Sequence, residues 1–232
     1  AKNGDLVAVK IYFWGDEERK PEGEIVSILG DPQNTEALIN GILINNGVSE
    51  TFSDEVENEL YKLEKPSIGE INSRRDLRDL KIITIDGSDA KDLDDAVYVE
   101  KTKTGYKLIV CIADVSYYVS EKSKLDEEAL KRGNSIYLVD RVIPMLPKKL
   151  SNDLCSLNPN EDKLTFTAEI DLDEQGKVVK NDFYKSVINS KYRMTYQKVN
   201  EIIAGDEESV KEYEPINEMI LHMLELSKLL RD

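Results

Sequence analysis

The sequence has few of the residues that many enzymes use for nucleophilic catalysis or zinc binding. It contains one histidine, His222, and 2 cysteines among 232 residues. Ser-His-Asp and Cys-His sites need a histidine beside the nucleophile, whereas His222 lies in a leucine-rich segment with helical spacing. Cys111 and Cys155 have apolar neighbours and no CxxC spacing, so we expect two buried thiols in the reducing cytoplasm.

Long apolar runs are also missing. No stretch of about eighteen apolar residues could span a bilayer, and the chain does not open with the charged, apolar and small residues of a secretion signal. Hydrophobic residues make up 40% of the chain, which is enough for a sizeable core in one large or two small domains. We therefore expect a globular cytoplasmic protein with no membrane partner, and we take a monomer as the working hypothesis.

Positive charge is in deficit, with 31 Lys and Arg against 46 Asp and Glu and a net charge of −15 at pH 7. This balance at first opposes a nucleic-acid partner, because phosphate binding normally draws on a basic surface. Local patches nevertheless decide binding more than the total charge does. Five basic residues are candidate phosphate contacts, although a solvated surface explains each of them equally well: Lys148, Lys149, Lys185, Lys191 and Arg193.

Aspartate, in contrast, is concentrated in one place. Acidic residues occupy 46 of 232 positions, or about two in ten, whereas residues 86–95 contain five, all of them Asp. The apolar segments Lys81–Ile85 and Ala96–Val99 on either side predict buried strands. A loop held at both ends by strands can direct short carboxylates to one point with little loss of side-chain entropy. A solvated acidic turn is the alternative, and the flanking strands argue against it.

Converging carboxylates repel one another unless a cation lies between them. Oxygen ligands favour Mg²⁺, Mn²⁺ or Ca²⁺, and the absence of nearby His or Cys argues against zinc. An EF-hand does not fit, because its glycine position would fall on Lys91 or on Asp94. The sequence therefore predicts Mg²⁺, and four carboxylates are enough for two ions that clamp the attacking and leaving oxygens of a phosphodiester.

Several motifs resemble the RNase II superfamily. Thr84-Ile85-Asp86 followed by Asp92-Leu93-Asp94-Asp95-Ala96 is similar to its catalytic signature, and the Gly87–Ala90 insert is similar to its ribonuclease R branch. Further segments share this resemblance: Arg74–Leu80, Ile112–Val119, Val142–Pro147, Leu150–Leu157 and Arg193–Val199. The resemblance covers most of the chain from residue 74 onward.

The resemblance implies a Mg²⁺-dependent 3′→5′ exoribonuclease that acts on the 3′ end of single-stranded RNA and releases nucleoside 5′-monophosphates. The metal ligands that it implies are Asp86, Asp92, Asp94 and Asp95. Asp94 is the carboxylate whose loss we expect to be most damaging to catalysis. Tyr137 matches a tyrosine that stacks on a base near the RNA 3′ end, although a tyrosine in a strand-like segment is more often a core residue.

The same patterns predict the fold class and the domains. Strand-like segments at Leu6–Tyr12 and Gly23–Gly30 form a predicted hairpin, and residues 1–32 resemble the end of a cold-shock, OB-type domain whose other strands we expect before Ala1. Residues 33–73 are predicted to be a connector with helices, and residues 74–232 the N-terminal portion of an RNB catalytic domain. The fold class is α+β, a partial RNase II-type catalytic domain preceded by an incomplete OB-type β-barrel remnant.

Within residues 74–232 the patterns predict a strand at Tyr106–Ala113 that forms a hairpin with residues 97–100, and a second hairpin formed by residues 163–171 and 178–188. A C-terminal amphipathic helix is expected to bury Ile216, Ile220, Met223, Leu224, Leu226 and Leu230. Two alternatives stay open. The Arg74–Leu80 segment docks by ion pairs or stays in solvent, and Asp114 joins the site or has a structural role.

The family's catalytic domain continues beyond the end of this chain and contributes a catalytic arginine, so we expect the 232-residue chain alone to be weakly active or inactive. Two other functions are possible. A noncatalytic single-stranded RNA-binding module would bind RNA equally well with or without Mg²⁺. A structural domain that binds divalent ions would gain stability from the metal and would not bind RNA.

Overall fold

The computed structural model describes residues 1–231 and divides the chain into two compact units. The smaller unit comprises Ala1–Asp54 and Arg132–Met145, and the larger unit comprises Glu55–Lys131 and the chain from Leu146 onward. The domain boundaries expected at residues 32 and 73 stay predictions. Among residues 1–231, no helix combines the length and the apolar character needed to cross a bilayer.

Helices and strands are mixed along the chain, which confirms the α+β prediction. In chain order, the strands β1 to β11 are Leu6–Phe13, Glu22–Gly30, Arg75–Asp76, Ile83–Asp86, Asp95–Thr102, Gly105–Ala113, Ile136–Tyr137, Val142–Ile143, Asp162–Asp173, Val178–Asn189 and Tyr192–Thr195. The helices α1 to α8 are Thr35–Asn45, Asp54–Tyr61, Ile68–Ser73, Val115–Tyr118, Lys124–Arg132, Tyr196–Ala204, Glu207–Glu212 and Glu214–Leu229. A π-helical turn spans Leu150–Leu154.

The smaller unit is built on an antiparallel hairpin of β1 and β2, as predicted. Helix α1 follows, and the Asn34 side chain caps it by accepting a hydrogen bond from the amide of Glu36. Several large apolar side chains of the hairpin and α1 are exposed: Val9, Trp14, Ile25, Val26, Ile28 and Ile42. A complete OB-type barrel has five strands, so this hairpin with its exposed apolar side chains agrees with the predicted incomplete remnant.

The larger unit is organised around a seven-stranded mixed sheet in the order β11-β4-β5-β6-β9-β10-β3. The edge strands β11 and β3 run parallel to their neighbours β4 and β10, and the other neighbours are antiparallel. The hairpin of β5 and β6 turns at Gly105, where φ is +141°. A Cβ there would overlap the carbonyl oxygen of Leu172, so only glycine fits this turn.

Helices α6 and α8 cover part of this sheet. One core cluster contains Ile83, Met194, Ile202, Ile216, Met219 and Ile220. The predicted buried face of α8 is partly wrong. Leu230 is 52% exposed, Met223 and Leu224 are only half-buried, and Met219, which was not in the predicted set, is buried.

Ion pairs hold the Arg74–Leu80 segment against the rest of the larger unit. The segment therefore docks by ion pairs and does not stay free in solvent. The Arg74 side chain is 1% exposed, and its Nη1 lies 2.8 Å from Oδ2 of Asp114. Its Nε lies 2.8 Å from Oε1 of Glu70. Burial alone would raise the pKa of Asp114, but a hydrogen bond from the Ser116 hydroxyl and the charge of Arg74 hold that pKa below its usual value. Asp114 therefore has a structural role.

Replacing Arg74 by Met is expected to lower the free energy of unfolding by about 3 kcal/mol, because Asp114 would be left as a buried charge without its partner. The matched control is Arg78→Met. Arg78 pairs with Asp162 at 2.8 Å, but its side chain is 35% exposed, so we expect a much smaller loss. Urea denaturation of both variants at pH 7 measures the difference.

Urea denaturation of the same variants at acidic pH provides a second test. The pKa of Asp114 is lower in the folded state than in the unfolded state. The ionised Asp114 therefore stabilises the fold fully above the unfolded pKa of about 4, and this stabilisation is lost as the pH falls through the folded pKa. The stabilities of the wild type and of Arg74→Met should therefore converge below about pH 4. Equal losses in the Arg74 and Arg78 variants at pH 7 would contradict a specific role for the buried pair.

Candidate active site

The aspartate loop, defined as residues 86–95, connects β4 to β5 in the larger unit. Asp86 is the last residue of β4, and Asp95 is the first residue of β5. Asp92 and Asp94 lie in the connection between these strands, and both reach solvent, as Asp95 does. The structure thus brings all four predicted ligands into one loop whose ends belong to the sheet.

The four carboxylates act on one another electrostatically. Partial desolvation raises the pKa of Asp94, and the charges of the three other carboxylates raise it further. The pKa of Asp86 is raised first by desolvation and next by Asp95, while Arg193 opposes the shift. These carboxylates therefore repel one another when they are ionised, and a bound cation would offset their charge.

The donor set fits Mg²⁺ in its chemistry, because it consists only of carboxylate oxygens and carries excess negative charge. Among the 231 residues described, no group of three or more His, Cys, Asp or Glu side chains is arranged to hold a metal ion. The assignment of Asp86, Asp92, Asp94 and Asp95 to Mg²⁺, and of Asp94 to catalysis, stays a prediction.

The backbone of the aspartate loop is bonded to groups outside it. The hydroxyl of Ser156 donates a hydrogen bond to the carbonyl oxygen of Lys91 at 3.0 Å. The same hydroxyl accepts one from the amide of Leu93 at 3.1 Å. Ser156 belongs to the Leu150–Leu157 motif, but nothing in the spacing of that motif indicates a bond to a loop so far away in the sequence.

Arg193 bonds the first half of the same loop. Strand β11 pairs in parallel with β4, which places Arg193 opposite Thr84. The Arg193 guanidinium donates hydrogen bonds to the carbonyl oxygens of Ser88 at 3.1 Å and Ala90 at 2.5 Å. Arg193 therefore has a structural role in the loop. The contact of Arg193 with an RNA phosphate stays a prediction.

Lys149 and Lys185, two of the candidate phosphate-binding lysines, differ in their protein partners. Lys149 donates to the carbonyl oxygens of Leu60 and Leu63, both at 2.9 Å, so it caps the end of α2. Lys185 is 58% exposed, and its Nζ lies 4.0 Å from Oδ2 of Asp114. Lys185 therefore has more freedom than Lys149 to contact a phosphate group.

Tyr137 lies in β7, in the smaller unit, and is 71% exposed. It pairs with Val142 in β8. Its exposure excludes the alternative of a core residue. The proposed stacking on an RNA base stays a prediction.

The cysteines are buried and unpaired, as predicted. Burial raises the pKa of Cys111 to about 11 and that of Cys155 to about 12. Both groups are therefore protonated at neutral pH and poor nucleophiles, which leaves the aspartate loop as the better candidate for chemistry.

Comparison with known proteins points to one family. The family model of the RNB domain matches residues 74–232, and the family model of the cold shock domain matches residues 1–53. Ribonuclease R of Thermotoga maritima is 44% identical over 100% of this chain, which spans 33% of that relative. The structure of Mycoplasma genitalium RNase R in complex with double-stranded RNA has a TM-score of 0.88 at 34% identity, over 98% of this chain and 40% of that one.

A more distant structure shares the fold. Yeast Ssd1, described as a pseudonuclease, has a TM-score of 0.69 at 22% identity, over 87% of this chain and 26% of that one. Likeness at this level of identity bears on the fold alone. The fold is therefore compatible both with proteins called ribonucleases and with one called a pseudonuclease.

Removing one charge from the aspartate loop is expected to stabilise the metal-free chain. Asp94→Asn removes a charge that is disfavoured by desolvation and by the three neighbouring carboxylates, the causes that raise the pKa of Asp94. We expect a gain of about 0.5 kcal/mol in the free energy of unfolding in EDTA, because solvent screens these partly exposed charges. In millimolar Mg²⁺ the order should reverse, since the wild type would gain stability from an ion that the variant holds less well.

Chemical denaturation with EDTA and with Mg²⁺ measures both effects. Asp89→Asn is the matched control, because Asp89 lies in the same loop but outside the predicted ligand set. The control should keep the wild-type response to Mg²⁺. If the Asp94 variant responds to Mg²⁺ as the Asp89 variant does, Asp94 is not a ligand.

Proposed function

The chain belongs to the RNB domain family, and from this membership we propose that it carries the catalytic aspartates of a Mg²⁺-dependent 3′→5′ exoribonuclease. The observation that supports this proposal best is the aspartate loop, with its four carboxylates between two strands of the segment that matches the RNB domain. The chain spans 33% and 28% of the curated ribonuclease R relatives from Thermotoga maritima and Escherichia coli. The activity is therefore proposed for a protein that contains the further segments of those relatives.

The proposed substrate is single-stranded RNA, hydrolysed from its 3′ end to nucleoside 5′-monophosphates. RNA as the partner is supported by the structure of Mycoplasma genitalium RNase R, which is a complex with RNA. The exposed ring of Tyr137 offers a surface on which a base would stack, and stacking of this kind tolerates any sequence. The aspartate loop would repel the RNA phosphates unless cations offset its charge.

The contribution of this chain to catalysis would be a set of oxygen ligands on a fixed backbone. The ligands would be Asp86, Asp92, Asp94 and Asp95, and bound Mg²⁺ would supply a water of lowered pKa and positive charge beside the scissile phosphate. Short Asp side chains limit the rotamers that each carboxylate can adopt. The hydrogen bonds that Ser156 and Arg193 form with the loop limit the positions of its backbone.

A noncatalytic RNA-binding module is the alternative function. Such a module would bind single strands with the same affinity in Mg²⁺ and in EDTA. A structural domain that binds divalent ions would respond to Mg²⁺ in stability but would not bind RNA. Only the enzyme requires metal-dependent hydrolysis.

Hydrolysis is tested with single-stranded RNA labelled at its 5′ end and with a protein that includes the further segments of the relatives. The RNA should be shortened from its 3′ end in Mg²⁺ and not in EDTA. Asp94→Asn should slow cleavage by about 100-fold or more, because it removes charge that would hold the metal, and RNA binding should persist. The 232-residue chain alone should cleave weakly or not at all.

Asp89→Asn is again the control, and it should retain activity. Cleavage that is undiminished in EDTA or in the Asp94 variant would contradict the proposed metal site. RNA binding without cleavage by the longer wild-type protein would favour the noncatalytic module.

The role of Tyr137 is tested by RNA affinity in the Asp94→Asn background, where cleavage is expected to be slow. Tyr137→Ala should weaken binding of a single strand by about 1 to 3 kcal/mol, because a stacking surface is lost, whereas Tyr137→Phe should bind normally. Tyr61→Ala is the control, since Tyr61 is 86% exposed on α2 and should not contribute. Fluorescence anisotropy gives the affinities. An Ala variant that binds as tightly as the Phe variant would rule out stacking at Tyr137.

A further inference from the structure

A single buried hydroxyl group holds the backbone on both sides of Asp92. Ser156 is 0% exposed. It donates to the carbonyl oxygen of Lys91 at 3.0 Å and accepts from the amide of Leu93 at 3.1 Å. The Lys91 carbonyl belongs to the peptide unit that precedes Asp92, and the Leu93 amide belongs to the peptide unit that follows it. The hydroxyl therefore fixes the orientation of both peptide planes that flank this carboxylate.

The peptide units that follow also have partners outside the loop. The amide of Leu157 donates to the carbonyl oxygen of Leu93 at 2.9 Å, and the amide of Ala113 donates to that of Asp94 at 2.9 Å. The Leu93 side chain is 1% exposed and anchors this stretch in the core. Of all these partners, only Ser156 acts through a side chain, so it is the one that a substitution can remove.

Serine suits this position because its hydroxyl is a donor and an acceptor at once, and both capacities are used. Alanine would occupy almost the same space but would leave the Lys91 carbonyl and the Leu93 amide without this partner. The repelling carboxylates would then act on a backbone with more freedom. A cation that binds would then have to order the backbone around Asp92 as well. This entropic cost would lower the affinity of the loop for the cation.

We propose that Ser156 is a positioning residue of the aspartate loop, which orients the backbone around Asp92 and thereby strengthens the binding of divalent cations. This inference rests on the proposed function, in which the loop carboxylates hold such cations. Ser156 is not a ligand itself. Its effect on cation binding is transmitted through the two peptide units that it bonds.

The test compares Ser156→Ala with Ser186→Ala in the 232-residue chain. Ser186 is also 0% exposed, and its hydroxyl bonds to those of Thr165 and Thr167, both at 2.6 Å, within the sheet. The first measurement is hydrogen exchange at the amide of Leu93 in EDTA, which reports the position of the loop without any metal. The second is calorimetric titration with Mn²⁺, an oxygen-preferring cation used in place of Mg²⁺.

Ser156→Ala is expected to speed exchange at Leu93 by about tenfold and to weaken Mn²⁺ binding by about tenfold, as for other residues that orient metal ligands. Ser186→Ala should leave both quantities within about twofold of the wild type. The inference is overturned if exchange at Leu93 is unchanged in Ser156→Ala, if both variants change it equally, or if exchange rises while Mn²⁺ affinity stays the same.

Should Ser156→Ala not fold, Ser156→Cys provides the same test, because it keeps a group of similar size that is a weaker donor and acceptor. It should change both quantities in the same direction, and unaltered values overturn the inference. Failure of the proposed function is recognised separately, in the wild type. A wild-type chain that does not bind Mn²⁺ contradicts the metal site, and Ser156 would then be a purely structural residue.

Discussion

Four carboxylates on one short connection repel one another, and the larger unit resists this repulsion by fixing the connection at both ends and in its middle. Strands β4 and β5 are neighbours inside the sheet, so Asp86 and Asp95 are held by ladder hydrogen bonds. Between them, Arg193 bonds the first half of the aspartate loop and Ser156 the second. Without these constraints, repulsion between the carboxylates would favour a more open loop.

These constraints come from distant parts of the chain. Strand β11, which carries Arg193, follows β10 in sequence but pairs with β4 at the other side of the sheet. Ser156 lies between the π-helical turn and β9. The aspartate loop is therefore fixed only when β11 has paired with β4 and the segment that carries Ser156 has packed against the loop. The geometry of the candidate site thus depends on the stability of the whole larger unit.

Local patterns were sufficient for most of the elements. Alternating apolar residues and turn residues predicted the hairpins of β1 with β2, β5 with β6 and β9 with β10, because their partners are adjacent in sequence. The parallel pairing of β11 with β4 could not be predicted in this way, since it joins segments that no short-range pattern relates. The partners of Arg193 and Ser156 depend on that tertiary structure, so their bonds to the aspartate loop were missed.

The residues that make the fold and those that make the candidate site are largely separate. The core depends on buried apolar residues such as Ile83, Met194 and Ile220, whereas Asp92 and Asp94 reach solvent. Loss of these carboxylates would therefore leave the apolar core intact. In this chain desolvation and mutual repulsion raise the pKa values of Asp86 and Asp94, so the surroundings of both carboxylates disfavour the ionised form. Stability alone would favour neutral residues at these positions, so the charge of the aspartate loop is not a requirement of the fold.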